Sequence, residues 1–222
     1  MPFNLTRPII YQITSGTTTT KTTLQSDEFS RILRSIATAV ELQIPLFQIR
    51  EKELSGRALY ELAGRAAKLT QGSATKVLVN DRSDIANSAG AAGVQLTARS
   101  LPPDVVRQMH GNDFLIGVST HSVYEACVAR ERKADFVLFG PIFDTPSKRS
   151  FGPPQGLAKL REVTNELGSF PVLAIGGITI ENVRECFTAG AAGIAAIRLF
   201  ADSFSLRWTV NAIRSAYNNL SV

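Results

Sequence analysis

Several stretches of this sequence bring together side chains able to hold or move charge. Gln48-Ile49-Arg50-Glu51-Lys52 places two cations and an amide at alternate positions. On an extended strand those three share one face, with Phe47, Ile49 and Glu51 on the other. Two cations and an amide aimed one way suit an anionic ligand. The plainer reading is a set of salt bridges with Glu51 and Asp81. Buried cations left unpaired are costly, so a ligand that pairs them is the expectation. Gly176-Gly177 before Ile178-Thr179-Ile180-Glu181 suits a phosphate. Glycines let the backbone approach closely, and a following helix offers free N–H groups. Thr179 could equally be that helix's N-cap. Arg198 adds charge there, or pairs with Asp202 or Glu181. His121, between Ser119 and Ser122, is an imidazole placed to move protons; a cap or surface role is the bland alternative. His110 reads as a surface residue at a helix end.

These residues need a frame that gathers them. Short apolar runs recur at Ile9–Ile13, Leu46–Ile49, Lys76–Val79, Gly93–Leu96, Phe114–Val118, Phe136–Phe139, Pro171–Ile175 and Gly193–Ile197. Several are continuous rather than alternating, as strands buried on both faces are. Helical periodicity lies between them: Phe29, Ile32, Leu33, Ile36 and Val40; then Leu59, Leu62, Ala63, Ala66 and Leu69; then Leu157, Leu160, Val163 and Leu167. Phe204 to Leu220 reads as a closing helix with Trp208, Ile213 and Tyr217 inward. Eight strand–helix units in one such length predict a single-domain α/β fold, a closed (β/α)₈ TIM barrel over 1–222. A doubly wound open sheet fits less well, because the first strand runs into a threonine-rich loop, Thr17–Thr23, and not a glycine-rich turn. That loop reads as a flexible linker, with a lid as the alternative. In such a barrel the strands' C-terminal ends carry the site. Polar groups collect at seven of those ends.

Composition bounds the partners. The chain has 222 residues, 24 Lys+Arg and 19 Asp+Glu, a net charge of +5. The basic residues are scattered, with no nucleic-acid-binding motif, so the charge points to a phosphorylated small molecule and no nucleic acid. No apolar run reaches membrane-spanning length, and Met1–Arg7 lacks an apolar signal core. A cytoplasmic protein with no membrane partner is expected. Two cysteines, Cys127 and Cys186, read as free thiols.

Taken in order, Gln48-Ile49-Arg50-Glu51-Lys52, Val79-Asn80-Asp81-Arg82-Ser83-Asp84, Gly117-Val118-Ser119-Thr120-His121-Ser122, Gly140-Pro141-Ile142-Phe143 with Thr145-Pro146-Ser147-Lys148, and Ala174-Ile175-Gly176-Gly177-Ile178-Thr179 resemble the thiamin phosphate synthase/TenI superfamily. The resemblance runs from Ile10 to about Phe200. It implies the barrel, thiazole phosphate as the small-molecule partner, and a homodimer. In the synthase branch, Gln48, Arg50, Lys52, Asn80, Ser119 and Lys148 would take the pyrimidine and its diphosphate, with Thr145 also at the substrate. Asp81 and a second aspartate after strand four would hold Mg²⁺. That second position is Ser100 here, with Arg99 beside it, and Gln95 stands where synthases carry a histidine. An arginine repels a cation, and serine is a poor ligand for a hard one.

Gln95-Leu96-Thr97-Ala98-Arg99-Ser100-Leu101-Pro102 instead resembles the TenI-like branch, the thiazole tautomerases. The resulting expectation is an isomerase that aromatises a thiazole phosphate carboxylate with no cofactor. His121 would move the proton, and Arg50 and Lys52 would orient the carboxylate. Gly176, Gly177, Ile197 and Arg198 would hold the phosphate, although the family usually has a small serine at position 198. A Mg²⁺-dependent thiamin phosphate synthase and a non-catalytic phosphate-binding regulator are the alternatives.

Overall fold

The computed structural model describes residues 5–145 and 153–220. Among them, eight parallel strands close a barrel in sequence order. They are β1 Ile9–Ile13, β2 Leu46–Ile49, β3 Lys76–Asn80, β4 Gly93–Leu96, β5 Leu115–Thr120, β6 Phe136–Phe139, β7 Val172–Ile175 and β8 Gly193–Ala196. Closure is direct: Tyr11 pairs with Leu46 on one side and Ala195 on the other. The helices α1 Asp27–Glu41, α2 Gly56–Thr70, α3 Ser83–Ser88, α4 Pro103–His110, α5 Val123–Glu131, α6 Gly156–Leu167, α7 Val183–Thr188 and α8 Leu206–Asn218 alternate with the strands. The (β/α)₈ expectation holds.

Strand alternation splits the apolar residues into two cores. Ile9, Tyr11, Ile13, Leu46, Leu78, Leu115, Phe136, Leu138 and Leu173 fill the barrel. Ile10, Phe47, Ile49, Val77, Val79, Val94, Ile116 and Val137 face outward, beneath the helices. Each fully buried Leu, Ile or Val is worth about 1.5–3 kcal/mol against exposure. Gly117 is a requirement of this packing. A Cβ there would lie 2.3 Å from the Phe136 ring and 2.4 Å from Gln95 Oε1. The missing side chain lets Phe136 and the Gln95 amide share one place inside the barrel.

The floor of the barrel is tied by one buried arginine. Arg107 donates to the carbonyls of Gly111, Phe114 and Lys133 and pairs with Asp135 at 2.7 Å. Asp135 also accepts the Ile116 N–H at 2.7 Å, so β5 and β6 are fixed together where they start. Burial raises the Asp135 carboxyl above its usual range, and the Ile116 N–H and Arg107 oppose that shift.

Some helical expectations fail at particular residues. The closing helix starts at Leu206, and Leu206, Val210 and Ile213 face inward. Trp208 is 63% exposed because it lies on the opposite face of that helix, and Phe204 is 99% exposed in the turn before it. Tyr217 does pack, edge-on against Phe187. Leu69 is exposed, although it follows the α2 stripe. His110 is half-buried against the Phe114 ring and not a surface residue, with a buried Nε2 that finds no partner among the described residues.

Candidate active site

The strands' C-terminal ends gather most of the chemical groups in one mouth. Gln48 lies one residue before the end of β2 in register with Leu78, and Asn80 ends β3 two residues further on. Gln48 is 2% exposed and donates from Nε2 to Asn80 Oδ1 at 3.2 Å. One amide acceptor and one amide donor remain for a ligand. Gln95 and Ser119 make the matching pair across β4 and β5: Nε2 donates to the Ser119 hydroxyl at 3.2 Å. Ser119 therefore keeps its own proton to donate. Gln95 Oε1 is buried with no partner among the described residues. In the sequence Gln95 stands out as a departure from the synthase pattern and as the start of the TenI-like stretch. Its pairing with Ser119 follows from the β4–β5 register, which sequence spacing does not reveal.

After β2 the cations separate from the acid. The strand ends at Ile49, so strict alternation does not extend to Lys52, which lies exposed in a turn. Arg50 is half-buried. Neither forms an ion pair among the described residues. The salt-bridge alternative for this run is not what forms. Glu51 is 4% exposed, and its carboxylate accepts the Gly16 N–H at 3.1 Å, the Thr18 N–H at 3.0 Å and the Thr18 hydroxyl at 2.7 Å. The threonine-rich loop thus starts from an anchored segment and is not a free linker.

The candidate metal position is thinner than the family pattern. Asp81 sits exposed after β3 with φ +65° and no side-chain hydrogen bond among the described residues. Asp84 does not join it. Arg82 holds Asp84 through two contacts, 2.8 and 2.6 Å, and keeps its carboxyl below the usual range. Ser100 accepts the Thr97 N–H at 2.8 Å and contacts the Thr97 hydroxyl at 3.1 Å. Its oxygen closes the β4–α4 turn. Arg99 is exposed beside it. Among the described residues no group of three or more His, Cys, Asp or Glu could hold a metal ion. One carboxylate, a turn-bound serine and an arginine do not fit the two-aspartate Mg²⁺ site that the resemblance implies.

His121 directly follows β5. Its backbone N–H donates to Glu125, and Ser122 caps α5 by accepting the Glu125 N–H at 3.1 Å. The ring Nδ1 bonds the carbonyl of Gly140, after β6. A carbonyl only accepts, so Nδ1 carries the proton and Nε2 is the free position.

The β6 and β7 ends are stitched together. Ile142 N–H donates to Ile175 at 2.9 Å and Phe143 N–H to Gly176 at 3.0 Å. Gly176 (φ +98°) and Gly177 (φ +66°) leave no room for side chains: a Cβ would fall 2.6 Å from Pro141 and 2.7 Å from Phe143 and Asp144. These glycines are thus required by the neighbouring loop as well as being available to a phosphate. Thr179 is not the N-cap of α7. Asn182 takes that place, and it braces the loop by accepting the Thr179 N–H at 2.8 Å and donating to the Gly177 carbonyl at 3.0 Å. Ile197 and Arg198 begin a short 3₁₀ turn after β8. Arg198 pairs with neither expected acid; Nη2 donates to the Thr145 hydroxyl at 3.0 Å. Asp202 instead takes Ser205, and Glu181 takes Thr179. Lys148, Pro146 and Ser147 lie outside the described residues.

Paired amides, two cations and adjoining loops thus collect at the end of this TIM barrel where the fold carries its sites. Residues 19–200 match the family described as thiamine monophosphate synthase, and the chain belongs to that family. It is similar to the thiamine-phosphate synthase of Chlorobium phaeovibrioides, 44% identical over 152 residues, 68% of this chain and 72% of that one. It is also similar to that of Roseiflexus castenholzii, 36% identical over 197 residues, 89% of this chain and 82% of the other. Among solved structures, a thiamine phosphate pyrophosphorylase from Pyrococcus furiosus superposes with a TM-score of 0.78 at 29% identity, covering 95% of this chain and 96% of that one.

These relatives overturn the tautomerase expectation and the isomerase class with it, because they carry the synthase name. The stretch that suggested the tautomerase branch has a local explanation. Ser100 serves the turn after β4, so that motif reports how the turn is built.

Proposed function

We propose that this protein is a thiamin phosphate synthase, a transferase joining hydroxymethylpyrimidine diphosphate to a thiazole phosphate with release of pyrophosphate. The observation that carries the reading is that Arg50 and Lys52, beside the Gln48–Asn80 pair, form no ion pair among the described residues. In the coupling, the pyrimidine methylene carbon bonds to the thiazole nitrogen as its C–O bond to the diphosphate breaks. Both electrons of that bond stay on the departing oxygen. Free cations aimed at a leaving group that gains charge stabilise the transition state more than the ground state.

The other roles follow from the contacts. Gln48, Asn80 and Ser119 offer donors and acceptors to the pyrimidine ring. Gly176, Gly177 and the Ile197–Arg198 turn receive the thiazole phosphate, as the loops after strands seven and eight commonly do in this fold. Thr145 holds Arg198 in that position. With Nδ1 of His121 tied to Gly140, Nε2 is the ring position left to accept a hydrogen bond from substrate. Lys148 enters by resemblance alone. Asp81 is the carboxylate that Mg²⁺ would meet, with Ser100 in place of the second acid. No helix among the described residues is long and apolar enough to cross a membrane. Phosphorylated small molecules as partners and a cytoplasmic location belong to the same reading.

The test is incubation with pyrimidine diphosphate and thiazole phosphate, with Mg²⁺ and with EDTA. Thiamin phosphate is the expected product. Its absence under both conditions overturns the proposal.

A further inference from the structure

Glu51 has no part in the roles above, yet it is among the most deeply buried charged groups at the mouth. A buried carboxylate needs partners, and its obvious ones, Arg50 and Lys52, stand beside it in the sequence. It takes neither. Both oxygens are satisfied by neutral donors from the loop after β1: Gly16 N–H on Oε1, and the N–H and hydroxyl of Thr18 on Oε2. Thr18 is itself 3% exposed, so the clamp is closed to water.

The loop so held lies against Arg50. A Cβ on Gly16 would stand 3.5 Å from the Arg50 carbonyl oxygen and 3.8 Å from its Nη1. Thr14, at the root of the loop, accepts the Arg50 N–H at 2.9 Å, and its own N–H donates to Gln48 at 3.0 Å. No side-chain hydrogen bond among the described residues orients the Arg50 guanidinium. The guanidinium lies beside the Gly16 segment.

We propose that Glu51 is a positioning residue: it fixes the Gly16–Thr18 segment as the wall of the Arg50 guanidinium, and it leaves that charge unneutralised for the diphosphate. Two effects meet in one carboxylate. Bonding to neutral donors keeps Glu51 from quenching Arg50, and anchoring the loop keeps Arg50 from swinging into solvent. The inference rests on the synthase reading for its ligand.

The experiment is a double-mutant cycle on Glu51→Gln and Arg50→Ala, read twice. One reading is affinity for inorganic pyrophosphate by calorimetry; the other is kcat/KM for the pyrimidine diphosphate. Glu51→Gln replaces one carboxylate oxygen by a donor facing donors, and should weaken pyrophosphate about ten-fold, the scale of a charge-assisted contact. In the Arg50→Ala background the same change should cost nothing further, which a merely structural role would not produce. Thr18→Val removes only the hydroxyl contact and gives a milder arm, for use if Glu51→Gln melts far below wild type. Losses that multiply across the cycle, or variants that match wild type, overturn the proposal. A wild type that binds pyrophosphate but forms no thiamin phosphate overturns the synthase reading alone, and the cycle is then decided on pyrophosphate affinity. A wild type that does neither overturns both.

Discussion

Nη2 of Arg198 donates to the hydroxyl of Thr145 at 3.0 Å, joining the end of β8 to the loop after β6. The guanidinium keeps its remaining N–H groups. Arg198→Ser should weaken inorganic phosphate by about ten-fold or more, since contacts to a charged partner are worth about 1.5–3 kcal/mol. Thr145→Val, which removes only the neutral tether, should cost less. Calorimetry with phosphate decides; tighter binding by Arg198→Ser would mean that the arginine obstructs the cradle.

His121 offers a separation of its two nitrogens. Asparagine can keep a donor on the Gly140 carbonyl but has nothing in the place of Nε2. His121→Asn should retain the wild-type melting temperature and lose about ten-fold or more in kcat, because a positioned proton donor or acceptor typically contributes at least that much. Unchanged steady-state rates would remove Nε2 from the chemistry.

The metal position makes a prediction of the opposite sign. With Asp81 as a lone carboxylate, the free protein should bind Mg²⁺ weakly, and Ser100→Asp should strengthen it, since hard cations gain from each added anionic oxygen. The gain should be larger with Arg99→Ala as well. Titration calorimetry with Mg²⁺ reads this directly, and a Ser100→Asp variant no tighter than wild type would sink it.

Stability should depend heavily on Arg107. Removing it strands Asp135, 7% exposed, and frees the Gly111, Phe114 and Lys133 carbonyls. Breaking a buried pair on one side costs about 3–5 kcal/mol. Urea denaturation of Arg107→Ala should show a loss on that scale; a shift below about 1 kcal/mol, the range of an exposed pair, would contradict the buried role.

The two cysteines should react differently. Burial pushes the Cys186 thiol up to about 12, so it stays protonated at neutral and mildly alkaline pH. Cys127 is half-buried. At pH 8 a thiol reagent should label native protein at Cys127 and not at Cys186, and at both after unfolding. Mass mapping of the labelled peptides gives the answer.

The strands were legible because buried parallel strands carry no polar face. Each of the eight runs became a strand, with ends moved by a residue or two. Residues at those ends were legible for the same reason: Gln48, Asn80 and Ser119 interrupt apolar runs. Partnerships were not. That Glu51 would choose Gly16 and Thr18 over Arg50, or that Arg198 would reach Thr145, depends on where separate loops meet. Trp208 misled because an aromatic residue at helical spacing reads as core, while the barrel had already filled that layer with Leu206, Val210 and Ile213. The tautomerase expectation failed in a related way, because a short motif was read as chemistry when its serine builds a turn.

The stitching of Ile142 to Ile175 and of Phe143 to Gly176 has a thermodynamic consequence. The cradle's backbone is already ordered by its own hydrogen bonds, so its conformational entropy is lost when the chain folds. A ligand arriving there meets fixed donors and owes little for arranging them. Selectivity at the stitched backbone should therefore be rigid, and mismatch should appear as fast dissociation.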